Sequence, residues 1–438
     1  ANGAKACRLF FIIAVAALYS NTLMATDCSL IDIELNSQAD VDNFQTSYGP
    51  CDYVAGNLSV FGASNLAGLS ALSGVGGNMR ISWSDALTSM DGLTALKSVS
   101  GNMRISENYA LTSLDGLTAL TNVGGELRFE SNITLTSLDG LSALTSVGQL
   151  SILYSPALRS LAGLSTLASV GEDLSFNENY ALTDLTGLSA LVSIGGDLRL
   201  YRNTVLRNLF GLSALTSVGG NVGISRNISL TSLDGLSALT SVGGYVSISQ
   251  NNLTNLAGLS ALTSVGGGLS ISTTSLSSLA GLSALTRVGG HLYIFNNNSL
   301  TNLDGLSALT SVGAYLYINN NELLANLDGL STLISVGEDF SVANNFSLYD
   351  CEGLTALLDS RDDGLPGPGP GAAGIPDVGG AVTIGGNMPG CTSVSEIVKA
   401  SPSEGTKDIA VPTLKQLGMA ILALFLLGMG TYCIRRFA

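Results

Sequence analysis

A Gly-Leu pair returns thirteen times at a step of 23 or 24 residues, with its glycine at Gly68, Gly92, Gly116, Gly140, Gly163, Gly187, Gly211, Gly235, Gly258, Gly281, Gly305, Gly329 and Gly353. A period of that length, held so strictly, belongs to a solenoid, in which each unit buries its apolar side only against its neighbours. Rival classes fall to composition. With 46% hydrophobic and 12% charged residues the chain is too apolar for disorder, and 53 glycines are too many for a helical bundle.

Within the unit that starts at Leu111, apolar residues fall every third position at Leu111, Leu114, Leu117, Leu120 and Val123. After Gly124-Gly125 the spacing shortens to two at Leu127 and Phe129. Steps of three fit neither an α-helix nor a flat strand; they predict a chain that bends at corners and points one residue inward at each short step. Steps of two predict a strand, repeated as Met79-x-Ile81, Met103-x-Ile105, Leu174-x-Phe176, Val246-x-Ile248 and Leu316-x-Ile318. Stacked coils align these strands into a parallel sheet about 4.8 Å per step, so about thirteen coils make a rod on the order of 60 Å long.

Two polar columns accompany the strand. Three residues past its second inward position stand Asn108, Asn132, Asn179, Asn203, Asn227, Asn251, Asn297, Asn321 and Asn345, with Ser84, Ser155 and Thr274 filling the gaps. All of them can hydrogen-bond the backbone of a tight corner, and recurrence in every coil is what structure demands rather than catalysis. Ahead of the turn glycine stand Asp91, Asp115, Asp139, Asp234, Asp304 and Asp328, with Glu352 in the same place of the last turn. Stacked like charges either splay into water or share a cation such as calcium, along Asp91, Asp115 and Asp139 or along Asp304, Asp328 and Glu352. Because Ala162, Ala257 and Ala280 occupy the same place, solvated turn residues are the simpler reading, and no metal or cofactor is assigned.

The net charge of −15 and pI near 4.3 exclude nucleic acid as a partner, which requires a basic groove. Lys5 and Arg8 ahead of the apolar run Leu9 to Tyr19 predict a secretory signal peptide over residues 1–25. At the other end, Leu417 to Ile434 carries no charge over 18 residues and is followed by Arg435 and Arg436, which predicts one transmembrane helix with its basic end inside. Cys7 and Cys433 fall in these end segments; Cys28, Cys51, Cys351 and Cys391 bracket the repeats. Four cysteines permit three pairings. The local one, Cys28–Cys51 with Cys351–Cys391, caps the two coils that lack a neighbour and implies an oxidising destination.

The tail Val411-Pro412-Thr413-Leu414, then Gly418-Met419, the apolar run and the arginine pair resemble the bacterial IPTL-CTERM sorting signal, although Val411 and Leu417 stand where that motif usually carries Ile and Trp. This resemblance implies a Gram-negative envelope protein, held in the membrane by its tail and handled by an exosortase-type enzyme. From about Cys28 to Cys391 the Gly-x-Leu-x-Ile strand, the Leu-x-x-Leu-x-Gly-Leu turn and the cysteine caps resemble the receptor L domain family. That implies an all-β, right-handed parallel β-helix, related to leucine-rich repeats, that presents surfaces for binding. The leucine-rich-repeat horseshoe is the alternative shape; its outer side requires a helical stretch that spacing by threes does not supply. The expected organisation is a signal peptide over 1–25, an N-terminal cap over 26–55, the solenoid over 56–350, and a C-terminal cap over 351–398. The run Pro366-Gly367-Pro368-Gly369-Pro370-Gly371 protrudes from that second cap as a loop, followed by a linker over 399–410 and the sorting tail over 411–438.

With the interior fixed by the repeat, function falls to positions the repeat leaves free. Between the inward strand residues stand Arg80, Arg104, Arg128, Arg199, Tyr293 and Tyr317, and beside them Trp83, Tyr154, Tyr201, Arg202, Arg226 and Phe295. Six of the ten basic residues between Arg80 and Arg287 lie on this face, with the only Trp. Binding surfaces are enriched in such residues; plain β-propensity on an exposed sheet is the structural alternative. The expected partner is a glycan or a surface protein, at the exterior of the cell envelope. A passive spacer or surface-layer component is a second reading. A polysaccharide-processing enzyme is a third, disfavoured because His291 is the only histidine and the coils carry no long loops.

Overall fold

The computed structural model describes Cys28, residues 32–358 and residues 378–398. The predicted signal peptide, Pro-Gly loop, linker, sorting motif and transmembrane tail lie outside the described residues.

Residues 32–358 and 378–398 belong to one parallel β solenoid. A four-residue strand recurs in each coil, as in Met79–Ser82, Met103–Ser106 and Leu198–Tyr201, and pairs in parallel with the same positions of the coils before and after it. Its two inward residues are sealed: Leu127 and Phe129 are 0% exposed. A second, two-residue strand precedes it, as in Ser98–Val99 and Ser193–Ile194, and forms its own parallel ladder. This element contributes a single inward residue per coil, so no period of two betrays it. In two coils the strands fuse into Asn122–Glu130 and Ser146–Leu153.

The steps of three have a definite cause. Each Gly-Leu pair closes a three-residue 3-10 turn, such as Asp115–Leu117, and thirteen of these stack from Ala67–Leu69 to Glu352–Leu354. A 3-10 helix has three residues per turn, so side chains three apart eclipse one another and point the same way. Leu114, Leu117 and Leu120 are therefore all inward, at 1% exposure or less. The expectation that threefold spacing excludes any helical stretch is corrected here: the coil's outer side is a single 3-10 turn. Glycine is obligatory in it because a Cβ on Gly116 would run into the carbonyl group of Met90 in the preceding coil.

After each strand the chain turns through one left-handed residue. Twelve coils in succession carry a non-glycine residue there, from Trp83 (φ 52°) to Asn344 (φ 57°). The polar column follows immediately and does what the sequence requires of it. Asn227 Oδ1 accepts the Asn203 N–H at 2.9 Å, and Asn227 Nδ2 donates to the Leu200 carbonyl at 3.0 Å. Each Asn thus closes the corner of the coil before it, entirely out of water.

Both predicted disulfides are present, Cys28–Cys51 and Cys351–Cys391. In the N-terminal cap the strand Ile33–Leu35 pairs with Leu58–Phe61, and the helix Gln38–Asp42, capped by Ser37, buries Val41. The C-terminal cap contains a further coil: Val382–Gly385 pairs with Phe340–Ala343 at an offset of 42 residues, and Asn387 supplies another rung of the Asn column.

Candidate ligand-binding face

The outward positions of the four-residue strand divide along the solenoid axis into chemically distinct zones. Zone one holds Arg80, Arg104 and Arg128, aligned in adjacent coils. The Arg80 guanidinium lies 4.8 Å from the Trp83 ring centroid and 5.3 Å from that of Phe61, and these two rings stack at 5.6 Å. Arg104 pairs with Glu130 at 2.7 Å, and Arg128 with Glu130 at 3.0 Å and Glu126 at 3.5 Å. Three coils beyond Arg128, Arg199 is held by Asp173 and Asp197, and Arg202 by Glu178. Four of the six face arginines are therefore paired with carboxylates, and Arg80 and Arg226 are not. Arg226 pairs with no carboxylate; it donates to Gln250 at 2.7 Å and to the Tyr201 hydroxyl at 3.0 Å.

Trp83, Tyr154, Arg202 and Arg226 sit at the left-handed corner residue just past the strand rather than on the strand itself. They border the face, whereas Tyr201, Tyr293, Phe295 and Tyr317 stand on it. Trp83 is 53% exposed and donates its indole N–H to Glu107 at 2.7 Å.

The zone from Tyr245 to Tyr317 is aromatic, and sequence reasoning found only part of it. Tyr293 stacks on Tyr317 at 5.2 Å with planes 5° apart. His291 joins them, 5.2 Å from Tyr293 and 5.3 Å from Tyr315, and Tyr245 reaches it at 5.9 Å by lying across Gly268. Tyr245, His291 and Tyr315 precede the first inward strand residue; aligning that position across coils would have revealed them. Burial pushes the Tyr317 phenol up to about 12, helped by the carboxylates of Asp339 and Glu338. Burial raises Tyr293 further still. Both are neutral hydroxyl donors near neutral pH and poor general bases. His291 Nδ1 is buried without a hydrogen-bond partner.

The acidic column faces outward at the first position of seven of the thirteen 3-10 turns. Burial, then the charges of Asp350, Asp304 and Glu352, raise the Asp328 carboxyl above its ordinary value, the signature of stacked like charges. Among the described residues no group of three His, Cys, Asp or Glu side chains is placed to hold a metal. A shallow groove of about 620 Å³ follows the two-residue strands from Ser169 to Gly266; only Ser, Val, Ile and Gly line it, so it offers a ligand little beyond shape.

No protein-family model matches the chain, and no curated protein matches it. Among solved structures the chain is similar to an internalin, InlF, from Listeria monocytogenes, at 18% identity over 67% of this chain and 86% of that one, with a TM-score of 0.35. It is also similar to the functional domain of InlJ from the same organism, at 15% identity over 66% of this chain and 75% of that one, with a TM-score of 0.18.

Proposed function

We propose that the protein is a non-enzymatic binding protein of the bacterial cell exterior, and that the outward face of its four-residue strands meets the ligand, a glycan or a surface protein. One observation carries this reading: six arginines and the stacked array of Tyr245, His291, Tyr293, Tyr315 and Tyr317 lie on or beside a single strand face. The paired cysteines support an oxidising compartment. Resemblance to receptor L domains supports a right-handed β-helix built for binding. The IPTL-CTERM-like tail supports a Gram-negative envelope, membrane attachment through residues 411–438 and an exosortase-type partner. A passive spacer is the second reading, favoured by the ion pairs that tie Arg104, Arg128, Arg199 and Arg202 to carboxylates of the same face.

The test is binding of the full chain to an array of envelope polysaccharides and surface proteins. A variant with Tyr201→Ser and Tyr293→Ser is compared with one carrying Thr216→Ala and Thr240→Ala off the strand face. Binding lost only in the first variant supports the proposal. No binding by the folded wild type leaves the spacer reading.

A further inference from the structure

Between the arginine and aromatic zones the face sinks to small residues over three consecutive coils. The floor is Gly223, Ser225, Ser247, Ser249, Ser270 and Ser272, and the residues between them, Val222, Ile224, Val246, Ile248, Leu269 and Ile271, point inward at 2% exposure or less. Tall side chains stand at both ends in strict register. Tyr201, Ser225, Ser249, Ser272 and Phe295 share one column, and Arg199, Gly223, Ser247, Ser270 and Tyr293 the other. With about 4.8 Å per coil, Tyr201 and Phe295 stand roughly 19 Å apart across this trough. Along its side Tyr245 is 50% exposed.

The floor and walls hold unused capacity. Ser82 and Ser106 elsewhere on the face bond each other at 2.8 Å, whereas the five serine hydroxyls of the trough have no hydrogen-bond partner among the described residues. Tyr293 stacks on Tyr317 and on His291 of its own coil, its register partner on the trough side is Ser270, and Tyr245 lies across the neighbouring Gly268. Phe295 stacks on no ring among the described residues and faces Ser272. At the opposite end the Arg226 guanidinium lies 5.7 Å from the Tyr201 centroid and that of Arg202 lies 6.0 Å from it.

We propose that this trough is a subsite for a neutral oligosaccharide, a reading that rests on the binding role given above and assigns it a place and a ligand class. A pyranose ring has C–H faces that pack on aromatic faces, whose electron density is negative, and a rim of hydroxyls that match a hydroxyl floor. Other ligand chemistries fit less well. A cation is recognised by rings closing around it, and these walls stand too far apart. At the trough an anionic glycan meets only one arginine without a carboxylate, Arg226, and that group is already engaged by Gln250 and Tyr201. A protein anchor requires a desolvated apolar pocket, and the floor here is polar.

The experiment is calorimetric titration of the full chain with cellohexaose, maltohexaose, mannohexaose and xylohexaose, with hexagalacturonate as the anionic probe. A filled variant, Ser247→Tyr with Ser270→Tyr, extends the column already occupied by Tyr293 and Tyr317, so it folds; its melting temperature is the check. At least one neutral hexasaccharide binds the wild type, and the filled variant weakens it more than about tenfold, as loss of several contacts at about 1.4 kcal/mol per tenfold requires. Phe295→Ala weakens binding about fivefold, the scale of one aromatic contact, and Arg80→Ser with Arg104→Ser and Arg128→Ser leaves it within about twofold, since the additivity limit for distant sites is small. A neutral probe bound equally by wild type and filled variant overturns the proposal. Binding of hexagalacturonate alone overturns the neutral assignment but keeps the face as a binding surface. No binding of any hexasaccharide overturns the glycan subsite, and the array of envelope proteins then decides the broader reading separately.

Discussion

Replacing Asn227 by Ala tests the corner logic of the solenoid most sharply. The side chain is 0% exposed and connects three coils: it accepts the Asn203 N–H, donates to the Leu200 carbonyl, and donates to Asn251 Oδ1 at 3.3 Å. Alanine leaves the Asn203 N–H and the Leu200 carbonyl buried without these partners. Each orphaned group costs about 1–3 kcal/mol, so the local loss is roughly 2–6 kcal/mol. Because a solenoid is stabilised by nearest-neighbour interfaces, the damage concentrates at that corner rather than spreading evenly. Amide hydrogen exchange reads it directly. At about 1.4 kcal/mol per tenfold, protection of the Asn203 amide falls at least about 30-fold, while the Asn321 amide, four coils away, keeps its own. Unchanged exchange at Asn203 would refute the reasoning, since it would mean that the Asn side chain satisfies nothing the corner cannot satisfy otherwise.

Three further outcomes follow from local geometry. Gly116→Ala forces a methyl into the Met90 carbonyl group and lowers stability by about 3 kcal/mol, whereas Gly385→Ala, with open space around it, changes the denaturation midpoint hardly at all. Thr273 is a β-branched residue held at φ 53°, where Asn296, Asn320 and Asn344 serve the next coils; Thr273→Asn raises stability by about 1 kcal/mol, and a lower melting temperature would contradict the strain argument. Asp328 has a folded-state pKa above its unfolded value, so ionising it destabilises the fold as pH rises above the carboxylate range. Asp328→Asn therefore melts higher than wild type at about pH 7 and the same at about pH 2, where the neighbouring carboxyls are protonated; an equal gain at both would show that charge is not the cause.

Much of this architecture is legible because a solenoid writes its geometry once per coil. Leu127 and Phe129 mark a strand by alternation, and Asn227 marks a corner by recurring where a backbone needs closing. Cys28, Cys51, Cys351 and Cys391 mark the ends. The features that escape notice have physical reasons. Steps of three at Leu114, Leu117 and Leu120 describe a 3-10 turn as well as a bend, and only hydrogen bonds such as Leu117 N–H to the Leu114 carbonyl distinguish them. Ser98–Val99 offers one inward residue and so has no period. Arg104 and Glu130 are 26 residues apart and meet only because coils stack, which is why a stripe of arginines looks more basic in sequence than it is in space. Tyr245, His291 and Tyr315 lie in a column one place ahead of the strand, and their rings converge through a gap left by Gly268. The extra C-terminal coil is hidden because its strand arrives 42 residues after its partner instead of 24.

Hydroxyl-radical footprinting of the full chain, with and without a preparation of envelope polysaccharide, addresses the central claim without presuming which polymer binds. Exposed aromatic residues also lie off the strand face and serve as internal controls: Tyr245 borders the face, while Tyr109, Phe210, Phe346 and Tyr349 lie outside the four-residue strands. The account predicts that Tyr201, Tyr245, Tyr293 and Phe295 lose labelling together and that the turn residues keep theirs. Protection of Phe210 or Tyr349 with the strand face unchanged would contradict it.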